Sequence, residues 1–152
     1  MSTINIIRTN SENADFIKLV SLLDGYLAIR NGDANDFFAG YNKIDLIKHV
    51  VVAYHQQEPV GCGAIKLFAE GIMEVKRMYV VPEYRGQGIA RKILQELETW
   101  ARELHVTACV LETGKDMTDA VNLYQKSNYK VIPNYGQYAA IASSICLRKV
   151  LS

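Results

Sequence analysis

The stretch Arg77 to Leu94, RMYVVPEYRGQGIARKIL, holds the residues whose types and spacing point most directly to chemistry. Met78 to Val81 has the composition of a strand, Pro82 opens a short turn, and Arg85-Gly86-Gln87-Gly88 leads into a helix from about Ile89. A chain that leaves a strand through Arg-Gly-x-Gly and enters a helix presents several unpaired backbone N–H groups at a positive helix end. That is an anion site, and a diphosphate is its natural guest. Gly86 and Gly88 can take φ values that a Cβ forbids, and they let phosphates approach the main chain. A dinucleotide fingerprint counted from Gly86 would need glycine where Arg91 stands, and no ribose-binding acid follows at the expected distance. The G-K-S/T ending of a P-loop is absent.

These residues need a scaffold, and the periodicities along the chain describe one. Ile4 to Arg8 reads as a strand ended by Thr9-Asn10-Ser11. Phe16, Leu19, Val20, Leu23 and Leu27 then recur at helical spacing, and Asn31-Gly32-Asp33 breaks that helix. A second, less regular helix is expected over Asp36 to Tyr41, with Phe37, Phe38 and Tyr41 on one side. His49 to Tyr54 and Val60 to Phe68 form an expected antiparallel hairpin joined by Gln56-Gln57-Glu58-Pro59. Gly61 and Gly63 mark either a bulge or a close approach by another backbone or a ligand. On the next strand, Ile72 to Val81, alternation places Glu74, Lys76, Met78 and Val80 on one face and Val75, Arg77, Tyr79 and Val81 on the other.

After the glycine loop, Ile89, Ile93, Leu94, Leu97, Trp100, Ala101 and Leu104 keep a helical period to about Glu103. Val106 to Thr113 is a buried type of strand, expected to lie parallel to the Ile72 strand because a helix separates them. Asp116 or Thr118 is a candidate cap for a further helix with Ala120, Leu123 and Tyr124 in its stripe and Ser127-Asn128 at its end. Tyr129 to Ile132 and Ser143 to Val150 complete the strands.

At 152 residues the chain has the length of one ordinary domain, able to bury roughly two thirds of its unfolded surface. One domain over residues 1–152 is expected. An apolar share of 49% and a charged share of 22% disfavour disordered, collagen-like and membrane classes. A net charge of +1 suggests neither a nucleic acid nor an acidic membrane surface as a partner. The start, MSTINIIRTN, lacks the pattern of a signal peptide and no run of about 18 apolar residues occurs, so a cytoplasmic protein is expected. Cys62, Cys109 and Cys146 have unrelated spacings and no C-x-x-C, which argues against a disulfide framework and against zinc; each reads as a small buried hydrophobe.

Arg85-Gly86-Gln87-Gly88-Ile89-Ala90 matches the coenzyme-A loop pattern Q/R-x-x-G-x-G/A, preceded by a hydrophobic strand and V-x-P-E. Downstream, Leu111-Glu112-Thr113, Ala120 and Leu123-Tyr124-Gln125-Lys126-Ser127-Asn128-Tyr129 follow the pattern L-E, then N-x-x-A-x-x-L-Y-x-x-x-G-F/Y. With both motifs the chain strongly resembles the GNAT superfamily of N-acetyltransferases through most of its length. The resemblance implies an α/β (α+β) fold: a mixed, mostly antiparallel sheet of about seven strands flanked by about four helices. It also implies acetyl-coenzyme A as cosubstrate, no metal, and direct transfer to a primary amine of a small molecule or peptide.

Carried over residue by residue, the likeness assigns cofactor contacts to Met78, Tyr79 and Val80 along the strand and to Arg85, Gly86, Gln87, Gly88, Ile89, Ala90 and Arg91 in the loop. Tyr124, twelve residues after Glu112, takes the place of the tyrosine that protonates the departing thiolate; the chain's own pattern by itself favours a core tyrosine instead. Met117 stands where the family often has a cofactor-contacting asparagine, with Asn122 as a substitute, and Asn128 replaces a glycine, which asparagine's tolerance of left-handed backbone allows.

A lysine-like amine, of pKa about 10.4, must lose a proton before it attacks. Glu112 and Glu74 match the positions that supply a base, with Glu112 preferred. Glu74 could instead partner Lys76 or Arg77, and Glu112 could orient a backbone group. The oxyanion falls to a strand N–H near Met78 to Val80. Tyr135 and Tyr138 are candidates for the acceptor pocket or for a homodimer contact. The alternative function is a non-catalytic module that binds coenzyme A or an acyl derivative.

Overall fold

The alternating runs pair into one seven-stranded sheet in the order β1 (Ile4–Thr9), β2 (His49–His55), β3 (Glu58–Ala69), β4 (Ile72–Val80), β5 (Ala108–Gly114), β7 (Ser144–Val150) and β6 (Lys130–Ile132). These positions come from a computed structural model, which describes residues 3–31 and 46–152. Every neighbouring pair is antiparallel except β4 and β5, which run parallel as the intervening helix requires. Among the described residues there are three α-helices: α1 (Ala14–Asn31), α2 (Ile89–Glu103) and α3 (Thr118–Lys126). The helix expected over Asp36 to Tyr41 lies outside the described residues. None of the described helices is long and apolar enough to cross a membrane.

Two cores sandwich the sheet. On one face Phe16, Leu19 and Val20 of α1 pack on Val50, Val52, Cys62 and Ala64. On the other, Ile89, Ile93, Leu94, Leu97 and Ala101 of α2 pack on Val51, Val60, Ile65, Met73, Val75, Cys109 and Leu147, joined by Tyr124 of α3. Ile93, Leu94 and Leu97 are almost wholly buried, each contributing about 1.5–3 kcal/mol relative to exposure. The open question about Gly63 is answered by this face. A Cβ there would lie 2.5 Å from Met78 Sδ, 2.9 Å from Ile93 and 3.0 Å from Leu97, so the glycine admits α2 to the sheet. All three cysteines are unpaired and buried, Cys62 and Cys109 in these two cores and Cys146 in a small cluster with Tyr138.

Three expectations need correction. The hairpin turn is the pair Gln56-Gln57, both at positive φ (49° and 70°), which fits a tight twisted turn and returns Glu58 and Pro59 to β3. The helix cap is made by neither Asp116 nor Thr118. Met117 is the N-cap residue, without a side-chain bond, and its N–H closes a turn on Gly114 O at 3.1 Å.

The third concerns the faces of β4. Lys76 pairs with Ala64 and Tyr79 with Cys62, so β4 carries one residue more than β3 in this interval. Arg77, at φ +61°, is the centre of that bulge. One inserted residue inverts the alternation beyond it. Met78 and Val80 therefore join Met73 and Val75 in the core under α2, whereas Tyr79 packs in the α1 core and Arg77 reaches Asp24 of α1.

Candidate active site

The parallel ladder between β4 and β5 ends early. Its pairs are Ile72 with Ala108, Met73 with Cys109 and Glu74 with Val110; beyond these the strands part, helped by the bulge at Arg77. Main-chain groups of β4 that face β5 past this point have no strand partner. Two cavities open from the split, of about 590 and 480 Å³. They share Leu23, Met78, Asp116, Met117, Ala120 and Tyr124, so the two meet at the split itself.

The larger cavity is lined by Met78, Tyr79 and Val80 of β4 and by Arg85, Gly86, Gly88, Ile89, Ala90 and Arg91 of the glycine loop. Gly86 and Gly88 hold φ of 78° and 79°, and a Cβ on either would meet no protein atom within 4 Å. Their glycines serve the backbone conformation and leave open space above it. The first helical bond of α2 is Lys92 N–H to Gly88 O, at 3.1 Å. The N–H groups of Ile89, Ala90 and Arg91 precede it and point from the positive end of the helix. Arg85 braces the loop: Nε donates to Val80 O at 2.8 Å, and the guanidinium lies over Tyr79 and Tyr26.

Not every expected contact falls here. Gln87 and Asn122 are exposed and line neither cavity. Met117 lines both, as does Asp116 beside it, and Thr118 and Asp119 at the uncapped start of α3 line the larger one. Asn128 does take the left-handed conformation, at φ 74°.

Tyr124 sits where the cavities join, 6% exposed. No group among the described residues hydrogen-bonds its hydroxyl, and its ring meets Tyr129 edge-on at 5.8 Å. Burial, and then the charge of Glu112, push its pKa well above the ordinary 10.0, so it is a neutral phenol at physiological pH.

The smaller cavity holds both carboxylates. Glu112 accepts a hydrogen bond from Ser144 Oγ at 2.6 Å. Its pKa is raised, chiefly by burial; the Ser144 bond opposes this, the charge of Glu74 adds to it, and Lys76 opposes it. Glu74 accepts from Tyr135 Oη at 2.6 Å and lies 3.7 Å from Lys76 Nζ. Of its two expected partners it has Lys76; Arg77 binds Asp24 instead. Tyr138 lines the cavity, while Tyr135 meets Tyr138 and Phe68 edge-on. Sequence reasoning missed Ser144 altogether. Only the register of β7 against β5, Gly114 with Ser144 and Glu112 with Cys146, brings it to Glu112, and no local signal carries that.

A sheet opened between two parallel strands, with an anion cradle at one side and paired carboxylates at the other, defines an enzyme that moves a group from a phosphate-bearing carrier to a nucleophile. The chain belongs to the acetyltransferase (GNAT) family, whose model matches residues 21–129. It is 31% identical to the IAA acetyltransferase of Azospirillum brasilense over 99% of this chain and 100% of that protein. The crystal structure of a Klebsiella pneumoniae protein described as an acyl-CoA N-acyltransferase matches with a TM-score of 0.79 and 31% identity, covering 100% of this chain and 99% of that one. PaiA N-acetyltransferase of Thermoplasma acidophilum, crystallised with coenzyme A, shares the fold at a TM-score of 0.68 and 18% identity, over 97% of this chain and 99% of that one. The protein is therefore an N-acetyltransferase of a family that uses acetyl-CoA.

Proposed function

We propose that the protein transfers acetyl from acetyl-CoA directly to a primary amine, with both substrates bound together. The observation that carries this reading is the meeting of the two cavities at Tyr124 and Met78: one cavity ends in a phosphate cradle and the other in carboxylates. The open space over Gly86 and Gly88, and the N–H groups of Ile89, Ala90 and Arg91, fit a diphosphate. Main-chain groups of Met78 to Val80 would align the pantetheine arm. Bound there, acetyl-CoA supplies an activated thioester.

The protein's own groups then handle charge and protons. Glu112, half-buried and oriented by Ser144, takes the proton of the amine, directly or through water. Glu74, held by Tyr135 and Lys76, is the alternative base. Unpaired N–H groups of β4 between Met78 and Val80 stabilise the developing oxyanion. The C–N bond forms, the C–S bond breaks, and Tyr124 gives its proton to the departing sulfur. The test is acetyl-CoA consumption against a library of amines, with IAA, for which the Azospirillum relative is named, added to it. Tight binding of acetyl-CoA with no amine acetylated would refute the reading.

A further inference from the structure

The bulge that reorders β4 also buries a cation whose hydrogen-bonding capacity is only partly used. Arg77 holds a left-handed backbone, φ +61°, which is costly for a non-glycine residue and recurs where ligands are clamped. The Cys62 thiol donates to its carbonyl at 3.3 Å and holds the bulge in place. The Arg77 side chain is 2% exposed and lines the smaller cavity. Nη1 donates to Asp24 Oδ1 at 3.0 Å, and Asp24 is itself 54% exposed. Nε and Nη2 have no hydrogen-bond partner among the described residues.

The chemistry of that pair is specific. Nη1 is the nitrogen cis to Cδ, so Nε–H and Nη2–H lie on the same edge and point the same way. This is the edge that grips both oxygens of one carboxylate. A buried edge without acceptors is unfavourable, and a bidentate carboxylate would satisfy both donors at once. Lys76, the neighbouring cation, is already engaged with Glu74. The same cavity contains Glu74 and Glu112, which suit an amine. The two carboxylates and the residue that carries this buried edge thus border one small cavity.

We propose that the acceptor is a small amine that also bears a carboxylate, and that Arg77 selects it by taking the carboxylate side-on through Nε and Nη2. This rests on the amine acetylation proposed above and narrows its substrate class. Arg77 determines specificity and takes no part in the bond changes.

The test uses glycine, β-alanine, γ-aminobutyrate and ε-aminocaproate, each beside its primary amide, with native protein and with Arg77→Met and Arg77→Lys. At the spacing that fits, kcat/KM for the acid exceeds that for its amide by roughly tenfold or more, as a charge-assisted bidentate contact implies. Arg77→Met brings the ratio to about one, and Arg77→Lys, which keeps charge without the fork, restores it only in part. The ratio is internal to each preparation, so loss of folded protein cancels. Equal rates on acid and amide at every spacing, or a ratio that survives Arg77→Met, overturn the proposal. A second readout needs no turnover: in the protein bound to coenzyme A, the arginine Nε–H resonance that Arg77→Lys removes should shift with the acids and not with the amides. That shift without any acetylation would sink the proposed reaction while sustaining the carboxylate site. No shift with any acid sinks the site.

Discussion

Replacing Tyr124 with phenylalanine isolates one hydroxyl at the junction of the two cavities. In the resting protein that hydroxyl has no partner among the described residues, and the ring is held by burial and by the edge contact with Tyr129. Its deletion therefore removes no ground-state bond, and the fold and the affinity for acetyl-CoA should be unchanged. The loss belongs to the transition state, where negative charge grows on sulfur. A hydrogen bond to a charged group contributes about 1.5–3 kcal/mol, which corresponds to roughly a 10- to 150-fold fall in rate. A thiolate departs readily without help, so the lower end is expected. The raised pKa of the phenol adds a second expectation: it loses its proton only above the ordinary 10.0, so no alkaline decline below that pH is caused by Tyr124. Single-turnover acetyl transfer, with enzyme in excess over acetyl-CoA, reads the step directly. If Tyr124→Phe matches the native rate with a reactive amine, Tyr124 is a packing residue and the acid role is wrong.

Gly88→Val should abolish acetyl-CoA binding by calorimetry. A Cβ there meets no protein atom within 4 Å and enters the space in which the proposed diphosphate would lie, while left-handed φ adds strain of about 1–3 kcal/mol; unchanged affinity in a folded variant removes the loop from the site. Glu112 works as a base only when ionised, so the acid limb of kcat/KM should lie above the carboxylate's ordinary 4.5, move down in Glu74→Gln and move up in Ser144→Ala. Glu112→Gln should lower turnover near neutrality and recover partly at high pH, and full neutral activity would pass the role to Glu74 or water. On the opposite face of the sheet, Lys149 Nζ lies 2.8 Å from Glu98 Oε1, with Glu98 only 4% exposed along its side chain. Lys149→Met strands that charge and should cost about 3–5 kcal/mol in denaturant unfolding, most of it regained when Glu98→Leu is added.

Local periodicity and turn chemistry made most of the frame legible. The stripe from Ile89 to Ala101 marks α2, the helix between two apolar strands implies their parallel pairing, and the glycine pair announces the left-handed turn that leads into that helix. What escaped was set by pairing between distant strands. Nothing near Arg77 in the sequence announces an extra residue against β3, because arginine has no preference for positive φ and the run KRMYVV holds no glycine, proline or other turn residue. The consequence is more than a shift of faces. Without the bulge, alternation would keep Met78 on the face of Glu74 and Lys76 and take Arg77 to the other one. With it, Met78 packs under α2 at the junction of the two cavities, and Arg77 turns toward α1 at the border of the smaller cavity. The same irregularity helps end the β4–β5 ladder. One strained residue therefore helps part the strands, sets the face of Met78 and Val80 and turns the Arg77 guanidinium toward Asp24. Strain of this kind persists only where the surroundings over-determine it, and here the Cys62 thiol, Asp24 and the two cores supply that determination.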